Sequence, residues 1–275
     1  MTEQGTFVDD LLTHKLSDTH YLLCVNATRQ DDDFAHITAY NDTGAEVENA
    51  GPRYAQLALQ GPKSQAILAR LTRADLAAMK YYHFAFGEVS GVRCLIARTG
   101  YTGEDGFEVY CEPPHAEKIW NDLLEAGKSD GLIPCGLGAR NTLRLEAGMA
   151  LYGHEIDAST TVWEAGLGWI CKLDKGDFLG RDALLWKRST GLRRKIAGFE
   201  MQDRMIARDG YPVYWGGKQV GNVTSGSPSP LLKKNIGMAF VPVEIAAPGT
   251  AIDIEVRNQK ASARIVPLPF YKRKK

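Results

Sequence analysis

One stretch limits what this chain can fold into more than any other: Arg98-Thr99-Gly100-Tyr101-Thr102-Gly103-Glu104-Asp105-Gly106-Phe107-Glu108. Three glycines at a spacing of three, interleaved with Thr, Tyr and Asp, exclude regular helix or strand, because glycine loses the most backbone entropy there and freely visits positive φ. The segment is therefore a shaped loop. The residues after it alternate with period two, which predicts a strand with Phe107, Val109 and Cys111 on one face and Glu108 and Tyr110 on the other. Glu108 is thus a carboxylate at a strand entrance, held by a stiff loop. Two readings fit: a hairpin corner with no ligand, or a fixed carboxylate accepting paired N–H donors from a flat, guanidine-like edge such as that of a pterin. A nucleotide loop is excluded, since neither G-x-G-x-x-G nor G-x-x-x-x-G-K-[ST] occurs and no strand-to-helix transition follows.

The rest of the chain sets the frame for that loop. At 275 residues, 44% of them apolar, it can fill two cores or one large one. Lys+Arg and Asp+Glu both number 33, so no net charge draws it to nucleic acid. The Lys272-Arg273-Lys274-Lys275 tail reads as a solvated terminus. Cys24, Cys94, Cys111, Cys135 and Cys171 are scattered, with no C-x-x-C and no His at ligand spacing. That usage suits a reducing, cytoplasmic setting without structural zinc. No apolar run approaches the roughly eighteen residues of a membrane span, and Met1-Thr2-Glu3-Gln4-Gly5 resembles neither a signal peptide nor an Arg-rich transit peptide.

In chain order, residues 4–12 read as the end of a hairpin turn and an outgoing strand that resumes over 21–26. Strand alternation would send Asp9 and Asp10 to opposite faces, so one of them should point inward, where a carboxylate is costly unless bonded or functional. An edge strand capping the turn is the other reading. A strand over 54–60, a helix opened by Gly61-Pro62, a hairpin over 86–97 and an amphipathic helix over 115–126 give residues 54–135 the β-α-β-β-α-β order of a ferredoxin-like unit. The next helix, 136–149, carries Arg140 and Arg144 on one face. Two guanidiniums so placed suit a ligand carboxylate, although such pairs are more often ion-pair partners on a surface. His154 beside Glu155 reads as a hydrogen-bonded loop histidine. After a basic linker near residue 190, only short strands around Ile196, Val213, Val220, Met238, Ile252 and Ile265 remain, the pattern of an all-β barrel or sandwich.

Taken together, Gly5-Thr-Phe-Val-Asp-Asp10, Gln60-Gly61-Pro62, the 98–108 loop, Gly136-Leu-Gly-Ala-Arg140 with Arg144-Leu-Glu146, Asp177-Phe-Leu-Gly180 and Val223-Thr-Ser-Gly226 occur in one fixed order. In combination they resemble the T-protein of the glycine cleavage system, the tetrahydrofolate-dependent aminomethyltransferase, over essentially the whole chain. The resemblance implies an α+β folate-binding aminomethyltransferase fold with ferredoxin-like subdomains over 1–186, followed by a β-barrel domain over 187–275. It implies transfer of a one-carbon unit from the aminomethyl-lipoyl arm of the H-protein to tetrahydrofolate, with release of ammonia. Asp10 matches the family's carboxylate beside the reactive folate nitrogens, with a general-base or electrostatic role. Glu108 matches its pterin-contacting glutamate, Arg140 and Asn26 its folate-site arginine and asparagine, and Tyr271 a tyrosine near the C-terminal end. It also implies that an N-terminal part, with an Asp-x-Ser-His motif and a cavity-lining tyrosine, is lacking. Alternatives on the same scaffold are another folate-dependent demethylase or an inactive folate-binding fragment. The paralogue of iron–sulfur maturation is disfavoured, because Lys175-Gly176 is followed by Asp177 where that family has a reactive cysteine.

Overall fold

The computed structural model describes residues 1–273, so the last two lysines of the basic tail lie outside the described residues. No helix among the described residues is long and apolar enough to cross a membrane. Two compact units are present: Leu11–Arg140, and Met1–Asp10 with Asn141–Lys275.

The first unit opens with an antiparallel hairpin, β1 (Leu12–Lys15) and β2 (Tyr21–Cys24), in which Leu12 faces Cys24 and Lys15 faces Tyr21. Helix α1 (Gln30–Ala39) begins with Asp31, Asp32 and Asp33, three carboxylates at the end where the helix dipole favours negative charge. A four-stranded antiparallel sheet follows, built from β3 (Ala55–Gln60), β4 (Phe84–Val89), β5 (Val92–Ala97) and β6 (Gly106–Cys111) in the order β3-β6-β5-β4. Helices α2 (Ser64–Leu68) and α3 (Ala116–Gly127) interrupt and follow the strands. Period two divides the sheet into two faces. On one, Leu57, Leu59, Ile96, Phe107, Val109 and Cys111 form a core with Ile67 and Leu68 of α2 and Ile119 and Leu123 of α3. On the other, Leu95, Ala97 and Tyr110 pack with Phe84 and with Leu16, Leu22 and Cys24 of the hairpin. Every residue of β6 is buried as a result.

Two expectations about this region differ from the structure. The anticipated β-α-β-β-α-β order appears as β-α-β-β-β-α, because all three strands between the helices pair and, among the described residues, no strand joins this sheet after α3. After that helix the chain passes Gly131 at φ 82° and Pro134, which has no N–H to give a ladder. Likewise, residues 4–12 do not form one strand. Thr6 makes an isolated bridge to Thr161, Phe7 N–H donates to Thr160 O at 3.3 Å, and the regular strand starts only at Leu12.

Helix α4 (Leu137–Glu146) contributes Arg140 to the first unit and Arg144 to the second. Within the second unit, Phe7 packs with Ile156, Val162, Leu173 and Leu184, the last from α5 (Arg181–Thr190). Gly5 and Gly180 have φ of 71° and 80° and touch so closely that a Cβ on Gly180 would lie 2.3 Å from Thr2 O. Beyond α5 the chain forms a closed six-stranded barrel. Its strands are β7 (Arg194–Met201), β8 (Pro212–Trp215), β9 (Lys218–Ser229), β10 (Lys234–Pro242), β11 (Ala251–Val256) and β12 (Gln259–Val266), in the order β10-β7-β12-β11-β8-β9. Phe199, Val213, Val241, Ile252, Ile254 and Ile265 fill its interior. Gly216 and Gly217, at φ 55° and 80°, form the two-residue turn between β8 and β9 that demands positive φ at both positions. The expected α+β class and C-terminal barrel are what the chain adopts.

Helical spacing does place Arg140 and Arg144 four apart, but only Arg140 is exposed. Arg144 is 1% exposed and its donors are committed: to Glu155 Oε2 at 2.8 Å, Ser225 Oγ at 2.7 Å, Asn141 Oδ1 at 2.8 Å and Met149 O at 3.2 Å. A shared clamp on a ligand carboxylate is therefore not built. Truncating Arg144→Ala strands the buried Glu155 charge and should cost about 3–5 kcal/mol, read as a lower urea midpoint; a loss below about 1 kcal/mol would contradict this role.

Candidate functional site

The 98–108 loop is held by one arginine and one glutamine. Arg98 grips Asp105 through two parallel bonds, Nε to Oδ1 at 2.9 Å and Nη2 to Oδ2 at 2.7 Å, the fork geometry that favours charge-assisted pairing. Its remaining donors reach Leu76 O at 3.1 Å, Met79 O at 2.9 Å and Gln65 Oε1 at 2.9 Å. Gln60 lies beneath the loop, donating to Thr99 O at 3.1 Å and accepting from Thr102 Oγ1 at 3.1 Å. The glycines now have separate reasons. A Cβ on Gly100 or Gly106 would fall 1.7 Å or 2.4 Å from the Gln60 amide, while Gly103 has φ 76°.

The strand that leaves this loop places Glu108 and Tyr110 on the hairpin side of the sheet, as period two requires. Glu108 lies directly opposite Ala58 of β3 and Ala97 of β5, so the residues facing it across both ladders have small side chains, and its polar neighbours in the sheet are the diagonal Gln56 and Tyr110. It is 9% exposed. Its Oε1 accepts from Gln56 Nε2 at 2.8 Å, and the same amide nitrogen lies 3.2 Å from the Tyr110 hydroxyl. Its Oε2 is buried and has no hydrogen-bond partner among the described residues. Burial pushes the Glu108 carboxyl above the usual range, opposed by the Gln56 amide, the Arg140 guanidinium and the Tyr110 hydroxyl. Arg140 stacks over the Tyr101 ring at 4.4 Å, so a loop residue holds the cation near the carboxylate. Ala97 also lines a cleft of about 280 Å³ together with His14, Phe84 and Thr99. His14 Nδ1 is buried there without a partner among the described residues, and burial lowers that ring's pKa.

Asn26 follows β2 and is half-buried; its carbonyl accepts from Arg29 N at 2.8 Å in the turn that opens α1. Two residues earlier, the Cys24 thiol lies 3.5 Å from Gln56 Oε1, which ties the end of β2 to the Glu108 cluster. The first unit thus gathers Glu108 and Arg140, with Asn26 at the end of an adjoining strand. Asp10 and Tyr271 belong to the other unit. Asp10 is exposed and Asp9 half-buried, so the inward carboxylate expected of the pair is only partly covered. Tyr271 is half-buried, and its backbone N–H donates to Glu146 O at 2.8 Å.

Residues 1–175 match the family model described as the GCVT N-terminal domain, and residues 194–272 match the glycine cleavage T-protein C-terminal barrel domain. The chain belongs to the glycine cleavage T-protein family. Among its relatives is an aminomethyltransferase of Acidobacterium capsulatum, 53% identical over 99% of this chain and 74% of its own length. Another, from Desulfitobacterium hafniense, is 50% identical over 99% of this chain and 75% of its own. A crystal structure of glycine cleavage system aminomethyltransferase T from Bartonella henselae superposes with a TM-score of 0.90 at 31% identity, covering 99% of this chain and 74% of that one. T-protein family membership makes the chain a transferase of the aminomethyltransferase class.

Gln56 was not singled out by sequence reasoning. The available signal was a glutamine within the apolar Tyr54–Gln60 run, at a position whose alternation sends it to the same face as Glu108. Gly100→Ala should displace Gln60 and cost about 1–3 kcal/mol, with faster proteolysis in 98–106. Unfolding and cleavage rates equal to those of the parent protein would show that the close approach to Gln60 does not hold the loop.

Proposed function

We propose that this T-protein family member transfers the one-carbon unit from the aminomethyl-lipoyl arm of an H-protein to tetrahydrofolate, releasing ammonia, in a cytoplasmic setting. The reading is carried by Glu108: a buried carboxylate with one oxygen satisfied and the other without a donor among the described residues. A buried acceptor left unpaired costs about 1–3 kcal/mol, more when charged, and a ligand N–H removes that cost. The site therefore fits a flat amidine-like edge that presents a hydrogen to Oε2. When bound, tetrahydrofolate supplies the nucleophilic nitrogens that accept the one-carbon unit.

The chain's own residues divide the remaining tasks. Glu108 orients the pterin by accepting its N–H groups. Arg140, kept near by its stack on Tyr101, offers a guanidinium to the anionic part of the cofactor and holds Glu108 toward its charged form. Asn26 and Tyr271 serve as further folate contacts. Asp10 acts at the reacting nitrogens, taking a proton or stabilising positive charge there.

The experiment is turnover of lipoylated, aminomethyl-loaded H-protein with tetrahydrofolate. Asp10→Asn should lower the rate by on the order of 10²–10⁴ with little change in folate Kd. Unchanged turnover would overturn the role assigned to Asp10. Because ligand N–H donors need the ionised carboxylate, folate affinity should fall on acidification with a midpoint above the ordinary glutamate value of about 4.3. In Glu108→Gln that acid-side fall should disappear and affinity should be low throughout.

A further inference from the structure

We propose that Gln56 is a positioning residue for folate binding, its side-chain amide holding one oxygen of Glu108 so that the other is kept unpaired for a ligand donor. The proposal rests on the folate reading of Glu108 and goes beyond it, since Gln56 is assigned no contact with the cofactor. Gln56 faces Tyr110 directly across the β3–β6 ladder, and Glu108 is the diagonal neighbour, within reach of a long side chain. From there Nε2 donates to Glu108 Oε1 at 2.8 Å and lies 3.2 Å from the Tyr110 hydroxyl. The carbonyl end is held in turn, with Oε1 at 3.5 Å from the Cys24 thiol. Rotating the amide would break the bond to Glu108 and the contact with the Cys24 thiol, so these partners favour the orientation in which the carboxylate is gripped. The alanines across the ladder at 58 and 97 offer no substitute donor.

Without this bond the buried glutamate is freer to turn an oxygen toward Arg140 or to take up a proton, and either change weakens the acceptor that the ligand needs. The amide also favours the charged form against the burial that opposes it. Losing it should move the onset of acid-side loss of binding to higher pH. The other titratable groups facing Glu108 are Cys24 from β2, Tyr110 on β6 and Arg140 from α4; His14 of β1 meets the Tyr110 ring edge-on at 5.4 Å. Cys24 and Tyr110 are pushed upward by burial and stay neutral through the acid range. His14 contributes equally to parent and variant, so their difference reports Gln56.

The test measures tetrahydrofolate Kd by calorimetry across pH for the parent chain, Gln56→Met, Gln56→Glu, Glu108→Gln and the double variant Gln56→Met/Glu108→Gln. Gln56→Met keeps the length and removes the donor. It should weaken binding about tenfold and raise the pH at which affinity falls, with the loss appearing in KM for tetrahydrofolate. Gln56→Glu, which keeps size and polarity but sets a like charge against Glu108, should raise that pH further and serves if the methionine variant folds poorly. In the Glu108→Gln background, Gln56→Met should have no further effect, as a double-mutant cycle requires of a residue acting through its neighbour. Parent-like affinity and pH profile in both Gln56 variants, or an undiminished tenfold loss in the Glu108→Gln background, would overturn the proposal alone. Undiminished binding by Glu108→Gln itself would overturn the folate reading, and the proposal with it.

Discussion

The Arg98–Asp105 fork is the interaction on which the geometry of the site depends. It joins the end of β5 to the far side of the Gly-rich loop, seven residues on, and its spare donors satisfy the Leu76 and Met79 carbonyls. The two side chains are 18% and 21% exposed, so solvent screens the pair less than it does a surface bridge. Its main effect is geometric: with Asp105 fixed, its carbonyl accepts from Gly61 N at 2.8 Å, and β6 must start at Gly106 opposite Gln60. Register then places Glu108 opposite Ala58 and Ala97. A slip of one residue would turn Glu108 into the apolar face and Phe107 out of it.

Two buried carboxylates in this chain show how burial divides structural from candidate functional groups. Glu155 and Glu108 each leave one oxygen without a partner among the described residues. Glu155 is neutralised by the buried Arg144 at 2.8 Å and accepts from Leu151 N at 3.0 Å. Glu108 has a neutral amide as its direct partner, and its cation, Arg140, is exposed and stacked on Tyr101 rather than hydrogen-bonded to it. An orphaned oxygen alone does not mark a site. An orphaned oxygen whose charge is compensated only at a distance is the stronger candidate, because its unmet acceptor is what a ligand donor could satisfy.

Much of the fold was legible because its signals are local. The alternation of Phe107 to Cys111 placed Glu108 and Tyr110 on one face, and the Gly-Gly and Pro-Gly turns between short apolar runs marked the C-terminal barrel. Misreadings arose where the deciding partner is distant in sequence. Residues 4–12 looked like a strand, yet their partner is the 160–161 segment, which offers a single bridge. Arg140 and Arg144 share a helical face by spacing, but Ser225 and Glu155, 81 and 11 residues away, claim the second.

From the sequence alone come the shaped loop, the strand that follows it, the barrel and the family, since each depends on backbone preferences and periodicity within a few residues or on motif order. Only the tertiary structure decided why glycine stands at 100 and 106, that Gln56 holds Glu108, and that Arg144 is spent on the core. Those facts depend on side chains brought together from positions 40 to 81 residues apart, as Gln60 is to Gly100 and Arg144 to Ser225. No local pattern encodes such a contact, because its free energy exists only after the intervening chain has folded.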